Sequence, residues 1–365
     1  MKTIVINGAN GYVAANFINE LLLEDFNIIA LVRAGKVPSE QRMSNMLSEL
    51  NDGKRIESDK LKVFDYSLVD ENFSISEDQL EEIFNGDVDY FHFAASLKYD
   101  FKAKDEIFQT NLDGVQNSMK VFSRFASQNS RFFFISTAYS SGIMDGKFEE
   151  KFYDNADISM FRNYYEQSKR FAENLIRKQI EEEGLNGHIL RLSQVVGNNK
   201  TGVTKTDYGI FDFGRRIQSL ANRNPYRKVR VKVNPETTQN LIPIDTVVAY
   251  LMQVVKIPEV PVILNVVAKA GIQNRFILSC LSELLPITLL AEPGLEVSEM
   301  DSYERVISIG MSFTNSYTDT NMNFDTAKLD EVMQLEENEA TEESIRKMLE
   351  YFLGKSSDKK ARIAS

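Results

Sequence analysis

A doubly wound α/β sheet of parallel strands is the fold predicted here, and three observations carry the prediction. The chain opens on a short apolar run, Lys2–Ile6, that passes straight into the glycine turn Gly8-Ala9-Asn10-Gly11-Tyr12-Val13-Ala14. Segments of strand length then alternate with segments of helical period as far as Leu192, which is the signature of successive βαβ units. In the middle, Tyr165-Glu166-Gln167-Ser168-Lys169 sets a phenol and an ammonium four residues apart, on one face of a helix.

The elements follow in order. Lys2–Ile6 reads as a buried strand, Tyr12–Glu24 as an amphipathic helix and Ile28–Val32 as a second strand. Pro38–Leu50 is predicted helical, Leu61–Phe64 a third strand, Glu77–Phe84 a helix and Tyr90–Ala94 a fourth strand. A long helix is predicted from about Asp105 to Ala126, then the aromatic strand Arg131–Ser136, a helix from Phe161 to Glu183, and a strand Gly187–Leu192. From Gly197 the rhythm breaks. Residues 1–197 therefore read as a Rossmann-type domain that includes the Tyr165–Lys169 helix. Residues 198–353 read as a smaller C-terminal substrate lobe with some segments returning to the sheet, and 354–365 as a disordered tail.

Composition narrows the class. The chain has 365 residues, 43% hydrophobic and 26% charged, the proportions of an ordinary soluble globular protein. No stretch approaches the length of a membrane span, and the first apolar run is too short for a signal peptide. One cysteine, Cys280, excludes an intramolecular disulfide framework and fits a reducing, cytoplasmic setting. With His92 and His188 as the only histidines, a zinc site is not expected, and a Ser-His-Asp hydrolase is disfavoured. The net charge of −11 argues against nucleic acid as a partner. Between Asn199 and Asn234, however, nine bases stand against two acids, a local charge of +7 that leaves the remainder at −18. That segment is either a solvated face or a docking surface for an anionic partner, such as a phosphopantetheine arm on an acidic carrier protein.

The first half points to a dinucleotide. Gly8 permits a tight turn, Gly11 lets a pyrophosphate approach the helix N-terminus together with Asn10, Tyr12 and Val13, and Ala14 allows close helix–strand packing. The second strand ends on Arg33, where an NAD enzyme would carry an acid for the ribose 2′-hydroxyl. Arginine there accommodates a 2′-phosphate, so NADP(H) is the expected cofactor, with Arg42 as a second clamp. Asp65, at the end of the third strand, is the candidate for the adenine amine, with Ser67 taking that place in a shifted register. Ala94, Ala95 and Ser96, after the fourth, let the backbone lie against the cofactor.

The second half points to proton transfer. An ammonium at Lys169 favours the phenolate of Tyr165 and brings its pKa towards working pH. Tyr165 then serves as the acid that protonates a carbonyl oxygen as hydride arrives at carbon. Thr137, at the end of the fifth strand, is expected to hydrogen-bond the same oxygen, and Asn111 to hold a water that relays protons to Lys169. Tyr139, Gln194 and Val195 are the expected substrate contacts. Tyr164 lies off the lysine's face and reads as pocket or core aromatic.

In this order these segments resemble the extended short-chain dehydrogenase/reductase superfamily: Gly-x-x-Gly-x-x-Ala, His92-x-Ala-Ala, Asn111-Leu-x-Gly, Ser136-Thr-Ala-Tyr and Tyr-x-x-x-Lys. Leu31-Val32-Arg33-Ala34, Asn72-Phe73-Ser74-Ile75-Ser76, Ala172-Glu173 and Leu241-Ile242-Pro243-Ile244-Asp245 resemble the branch of fatty acyl-CoA reductases and thioester-reductase domains of carboxylic acid reductases and peptide synthetases. The resemblance implies NADPH-dependent reduction of an acyl thioester to an aldehyde, and onward to an alcohol in some members. The branch often has tryptophan after the motif lysine, where this chain has Arg170, and with no carrier domain in the sequence any thioester is expected to arrive in trans. Homodimers, common in the superfamily through the helices flanking strands four and five, are an open alternative to a monomer. The rival readings are a dehydrogenase acting on a ketone, aldehyde or hydroxyl, a nucleotide-sugar epimerase or dehydratase retaining NAD, and a non-enzymatic cofactor sensor.

Overall fold

The computed structural model describes residues 1–56, 58–308, 317–333 and 339–364, with side chains as far as Lys355. In chain order the strands and helices are β1 Lys2–Asn7, α1 Tyr12–Leu21, β2 Phe26–Arg33, α2 Ser39–Leu50, β3 Leu61–Tyr66, α3 Glu77–Ile83, β4 Val88–His92, α4 Lys104–Phe108, α5 Gly114–Phe125, β5 Arg131–Thr137, β6 Lys147–Phe148, α6 Tyr164–Glu183 and β7 Gly187–Leu192. They continue with β8 Gln194–Val196, α7 Ile210–Arg223, β9 Arg227–Val231, β10 Thr238–Gln239, β11 Leu241–Pro243, α8 Ile244–Lys256, β12 Ile263–Val266, β13 Ile272–Gln273, α9 Asn274–Leu284, β14 Ile287–Ala291, α10 Ser302–Ser308, β15 Asn323–Phe324, α11 Ala327–Val332 and α12 Glu342–Ala364. Where a disordered tail is expected, 354–365, the backbone continues α12 as far as Ala364; the side chains beyond Lys355 lie outside the described residues.

By its contacts the chain divides into two units. The first comprises Met1–Leu192, Val248–Val266 and Phe324–Gln334; the second comprises Ser193–Val247, Val267–Asn323 and Leu335–Ser365. The first unit is built on a seven-stranded parallel sheet in the order β12-β7-β5-β4-β1-β2-β3. Strand order reverses between β1 and β4, so the loops after these two strands flank the crevice where open α/β sheets take ligands. Gly8 leaves β1 and Phe93–Ser96 leave β4, and both therefore lie at that crevice.

A buried parallel sheet needs strands that are apolar on both faces. β5 meets this with Phe132, Phe133 and Phe134, all fully buried. Phe133 stacks on Phe91 (4.6 Å between centroids) and on His188 (4.9 Å), while Phe132 stacks on Tyr90 at 5.2 Å on the opposite face. Phe133→Ala is expected to lower unfolding free energy by about 3–5 kcal/mol, read from the denaturant midpoint. A shift well under 1 kcal/mol would mean that the site collapses around the smaller side chain.

The structure differs from the sequence-based expectation at several boundaries. α1 stops at Leu21, β4 occupies Val88–His92, and α6 starts at Tyr164, where Asn163 caps it by accepting the Glu166 N–H at 3.0 Å. The expected long helix from Asp105 to Ala126 is interrupted by a π-helical turn at Gln109–Asp113. Such turns mark places where a helix has been reshaped to present a residue; the buried residue presented here is Asn111.

The second unit has its own core, in which Phe211, Phe213 and Ile217 of α7 share a cluster with Leu281 of α9 and with Met348 and Leu349 of α12. Around it lie three two-stranded ladders: β8 with β11 and β9 with β14, both parallel, and β10 with β13, antiparallel.

Candidate active site

The glycine turn is shaped for close approach. Gly8 has φ of +62°, and a Cβ there would lie 2.9 Å from the Ala94 nitrogen. Its N–H donates to the Tyr66 hydroxyl at 3.2 Å, and the Gly11 N–H donates to the Gly8 carbonyl at 2.9 Å. α1 then starts with no side chain capping its N-terminus and no acid in its first turn. Its leading N–H groups and dipole thus favour an anion. Asn10, Gly11, Tyr12 and Val13 all reach the surface at this point, so the residues present fit a pyrophosphate.

A buried network holds the facing loop. Asn7 accepts the Phe93 and Ala94 N–H groups (2.8 and 3.0 Å), and its Nδ2 lies 2.9 Å from both the Tyr90 hydroxyl and His92 Nδ1. Burial, and then the charge of Lys169, hold His92 down to about 3, so the ring is neutral at working pH. Its Nε2 lies 3.0 Å from the Ala94 carbonyl and so carries the proton. His92 is a brace for the loop carrying Ala94, Ala95 and Ser96.

At the other end of the crevice β2 ends on Arg33, exposed like the loop that follows it. Arg42 folds back on that loop, donating to the carbonyls of Arg33 and Val37 and, at 2.7 Å, to the Ser39 hydroxyl. Ser39 in turn donates to Asp65, whose carboxylate is thereby tied to the first residue of α2. Arg42 and Asp65 thus sit beside Arg33 as one connected group.

The candidate chemical residues come from β5, the π-turn and α6. Lys169 is buried, its Nζ donating to the Ile135 carbonyl at 2.8 Å and lying 4.5 Å from the centre of the Phe134 ring. Burial pushes its pKa down to about 7, against which the negative charge of Glu173 raises it. Tyr165, half-buried, lies one turn earlier on the same helix and meets the Tyr99 ring edge-on at 6.2 Å. The Thr137 hydroxyl donates to the Leu192 carbonyl at 3.3 Å and accepts the Tyr139 N–H at 3.2 Å, which seats Tyr139 on the turn after β5. Asn111 accepts the Ser96 N–H (2.8 Å) and donates to the Ser168 hydroxyl (2.9 Å), tying the β4 loop to the residue next to Lys169. Tyr164 packs away from this group against Phe101 and Phe108.

In the second unit, Gln194 and Val195 pair with Leu241 and Ile242. Gln194 Nε2 is buried with no partner among the described residues, and Gly209, at φ +58°, leaves it room: a Cβ there would lie 2.0 Å away. The basic segment is largely paired within its own unit. Arg215 and Arg216 meet Asp212, Arg227 meets Asp301, Arg230 meets Glu304, and Lys232 meets Glu296. Its field is correspondingly weaker than the bare count of bases implies.

A parallel sheet with an uncapped glycine turn after β1, and a tyrosine–lysine pair on a helix beside the β5 exit, is the arrangement of a nicotinamide-dinucleotide-dependent protein of the extended short-chain dehydrogenase/reductase class. Residues 6–251 match the sequence profile of the NAD-binding family described as male sterility protein, and the chain belongs to that family. No curated protein matches it significantly. Among solved structures it is similar to the terminal R domain from the myxalamid PKS-NRPS biosynthetic pathway, at 16% identity and TM-score 0.76, covering 98% of this chain and 92% of that one. It is also similar to a thiolation-reductase di-domain from an archaeal non-ribosomal peptide synthetase, at 19% identity and TM-score 0.75, covering 98% and 76%. A third likeness is to UDP-glucuronic acid 4-epimerase from Bacillus cereus in complex with NAD, at 15% identity and TM-score 0.65, covering 96% and 98%. Among the described residues no helix is long and apolar enough to cross a membrane.

Proposed function

We propose that this chain is an NADPH-dependent reductase of acyl thioesters, carried on CoA or on a carrier protein, that releases an aldehyde and can reduce it further to an alcohol. The observation that carries the reading is the buried Lys169 one helical turn from Tyr165, beside the β5 exit, in a chain of this family. The likeness in fold to the terminal R domain of a PKS-NRPS pathway and to a thiolation-reductase di-domain supports a thioester over other carbonyls.

Gly8, Gly11 and the α1 N-terminus would hold the pyrophosphate, Arg33 with Arg42 the 2′-phosphate, Asp65 the adenine, and Ala94–Ser96 the neighbouring backbone. Bound reduced nicotinamide supplies a hydride, so that thioester, cofactor and one proton yield aldehyde, free thiol and oxidised cofactor. Tyr165 gives its hydroxyl proton to the substrate oxygen, and the Lys169 ammonium offsets the phenolate left behind. Thr137 would donate to the same oxygen once its hydroxyl turns from the Leu192 carbonyl, while Asn111, expected to hold a relay water, is instead bonded to Ser96 and Ser168 and would align the adjoining lysine. Tyr139, Gln194 and Val195 contact the substrate. An acidic carrier would dock on the exposed cations Lys200, Arg223 and Lys228 of the basic segment.

The test is consumption of NADPH with acyl-CoA, carrier-bound acyl thioester and free aldehydes in turn. Turnover with thioester supports the reading. Turnover confined to aldehydes or ketones would remove the thioester, and NAD bound tightly to the purified protein with no reductase activity would favour an epimerase. Arg33→Ala is expected to raise the KM for NADPH about tenfold or more, the size of one lost charge-assisted contact, with little change for NADH. Equal effects on both cofactors would remove Arg33 from the 2′-phosphate.

A further inference from the structure

We infer that Glu173 is a positioning residue of this reaction centre: with Arg170 and Arg191 it locks α6 onto the exit of β5 and sets a carboxylate one helical turn from Lys169. The inference rests on the reading of Tyr165 and Lys169 given above.

Glu173 lies one turn beyond Lys169 and is 1% exposed. Its Oε1 accepts the hydroxyls of Ser136 (2.5 Å) and Ser140 (2.9 Å). Arg191, fully buried, donates from Nε to Oε1 at 3.1 Å and from Nη2 to Oε2 at 2.7 Å. Ser136 and Ser140 bracket Thr137 and Tyr139, so one carboxylate grips both ends of the segment that presents them. Arg170 adds a second grip, donating from Nη2 to the Ser140 carbonyl at 2.5 Å. Its guanidinium lies among the rings of Tyr153, Phe148 and Phe161, 5.1–5.7 Å from their centres. Arg191 extends the hub to the Glu149 and Lys151 carbonyls and lies 4.2 Å from the centre of the Phe148 ring.

A buried ion pair is weak evidence for stability, since apolar side chains of similar volume often serve as well or better. A charged hub supplies what an apolar plug lacks: fixed direction on four segments, and a negative charge near Lys169. Lys169 interacts with the carboxylate of Glu173 on its own helix and with neutral His92 of β4, and Arg191 of β7 lies across Glu173. β5 contributes the uncharged Ile135 carbonyl and Phe134 ring. Of these, Glu173 supports the ammonium against burial.

Glu173→Gln keeps the shape and removes the charge. The Lys169 Cε resonance, followed by carbon NMR of labelled lysine and assigned with Lys169→Ala, is expected to titrate about one unit lower than in wild type. The alkaline limb of kcat/KM is expected to move down with it. Because Glu173→Gln strands the Arg191 charge in the core, Glu173→Gln/Arg191→Met removes both charges; stability should recover while the lysine midpoint stays low. An unchanged midpoint in both variants, or one that returns as stability returns, would overturn the inference. A wild type that reduces no thioester or carbonyl would refute the proposed reaction instead, and the lysine titration would still decide on Glu173.

Discussion

Tyr165→Phe is expected to lower kcat by about 10²–10⁴-fold, the usual contribution of a positioned general acid, while leaving NADPH affinity and thermal stability close to wild type. The phenol is half-buried at the second position of α6, and removing one hydroxyl there leaves the ring contact with Tyr99 in place. The pH dependence should carry the mark of its partner. Lys169 titrates at about 7 in the folded protein against 10.5 for the free side chain. If the ammonium is the working form, kcat/KM of the wild type falls as pH rises through that range. For stability the sign is opposite. Between about 7 and 10.5 the unfolded chain holds a proton that folded Lys169 has released, so this group's burial penalty shrinks as pH rises, and below 7 it is present in full. A Tyr165→Phe protein that retains wild-type kcat, measured as NADPH consumption at saturating substrate, would remove Tyr165 as the acid.

Gly8→Val should abolish measurable dinucleotide binding under conditions where wild type saturates, a loss of about 100-fold or more, equivalent to about 2.8 kcal/mol. A left-handed backbone costs a non-glycine residue about 1–2 kcal/mol, and a β-branched one more. The new Cβ would also press on the backbone of Ala94, whose N–H is held in place by Asn7. Relief must therefore displace the β4 loop on the far side of the crevice. Titration of NADPH fluorescence with protein measures the effect, and Gly8→Ala should be the milder of the two. Binding retained by the valine variant would mean that the dinucleotide does not use this turn.

Much of this was legible in the residues themselves. A glycine that must adopt positive φ, an alternation of strand and helix periods, and a tyrosine four residues from a lysine are local patterns, and local patterns survive without knowledge of what packs where. Their order along the chain was enough to indicate a doubly wound sheet and a family resemblance. Arg33 was legible for the same reason, since the end of the second strand follows from the pattern alone.

What the tertiary structure decided is pairing over long separation. Asn7 reaches residues 90, 92 and 118, and nothing in the opening strand announces that its last polar side chain braces a loop from the fourth. Ala172-Glu173 stands in the sequence only as part of a resemblance. Its partners, Ser136, Ser140 and Arg191, come from two other strands and the turn between β5 and α6. The strand Ile263–Val266 joins the sheet edge from a stretch whose rhythm reads as irregular, because a four-residue edge strand carries too little period to identify. The apparent basic face of residues 199–234 is a matter of partners as well: acids at 292–304 neutralise much of it once the chain folds. Sequence by itself determined the backbone plan and singled out the candidate reacting groups, because these depend on neighbours within one or two turns. Folding decided which of those groups are buried, braced and charged, because burial and Coulomb energy depend on distance in space and not along the chain.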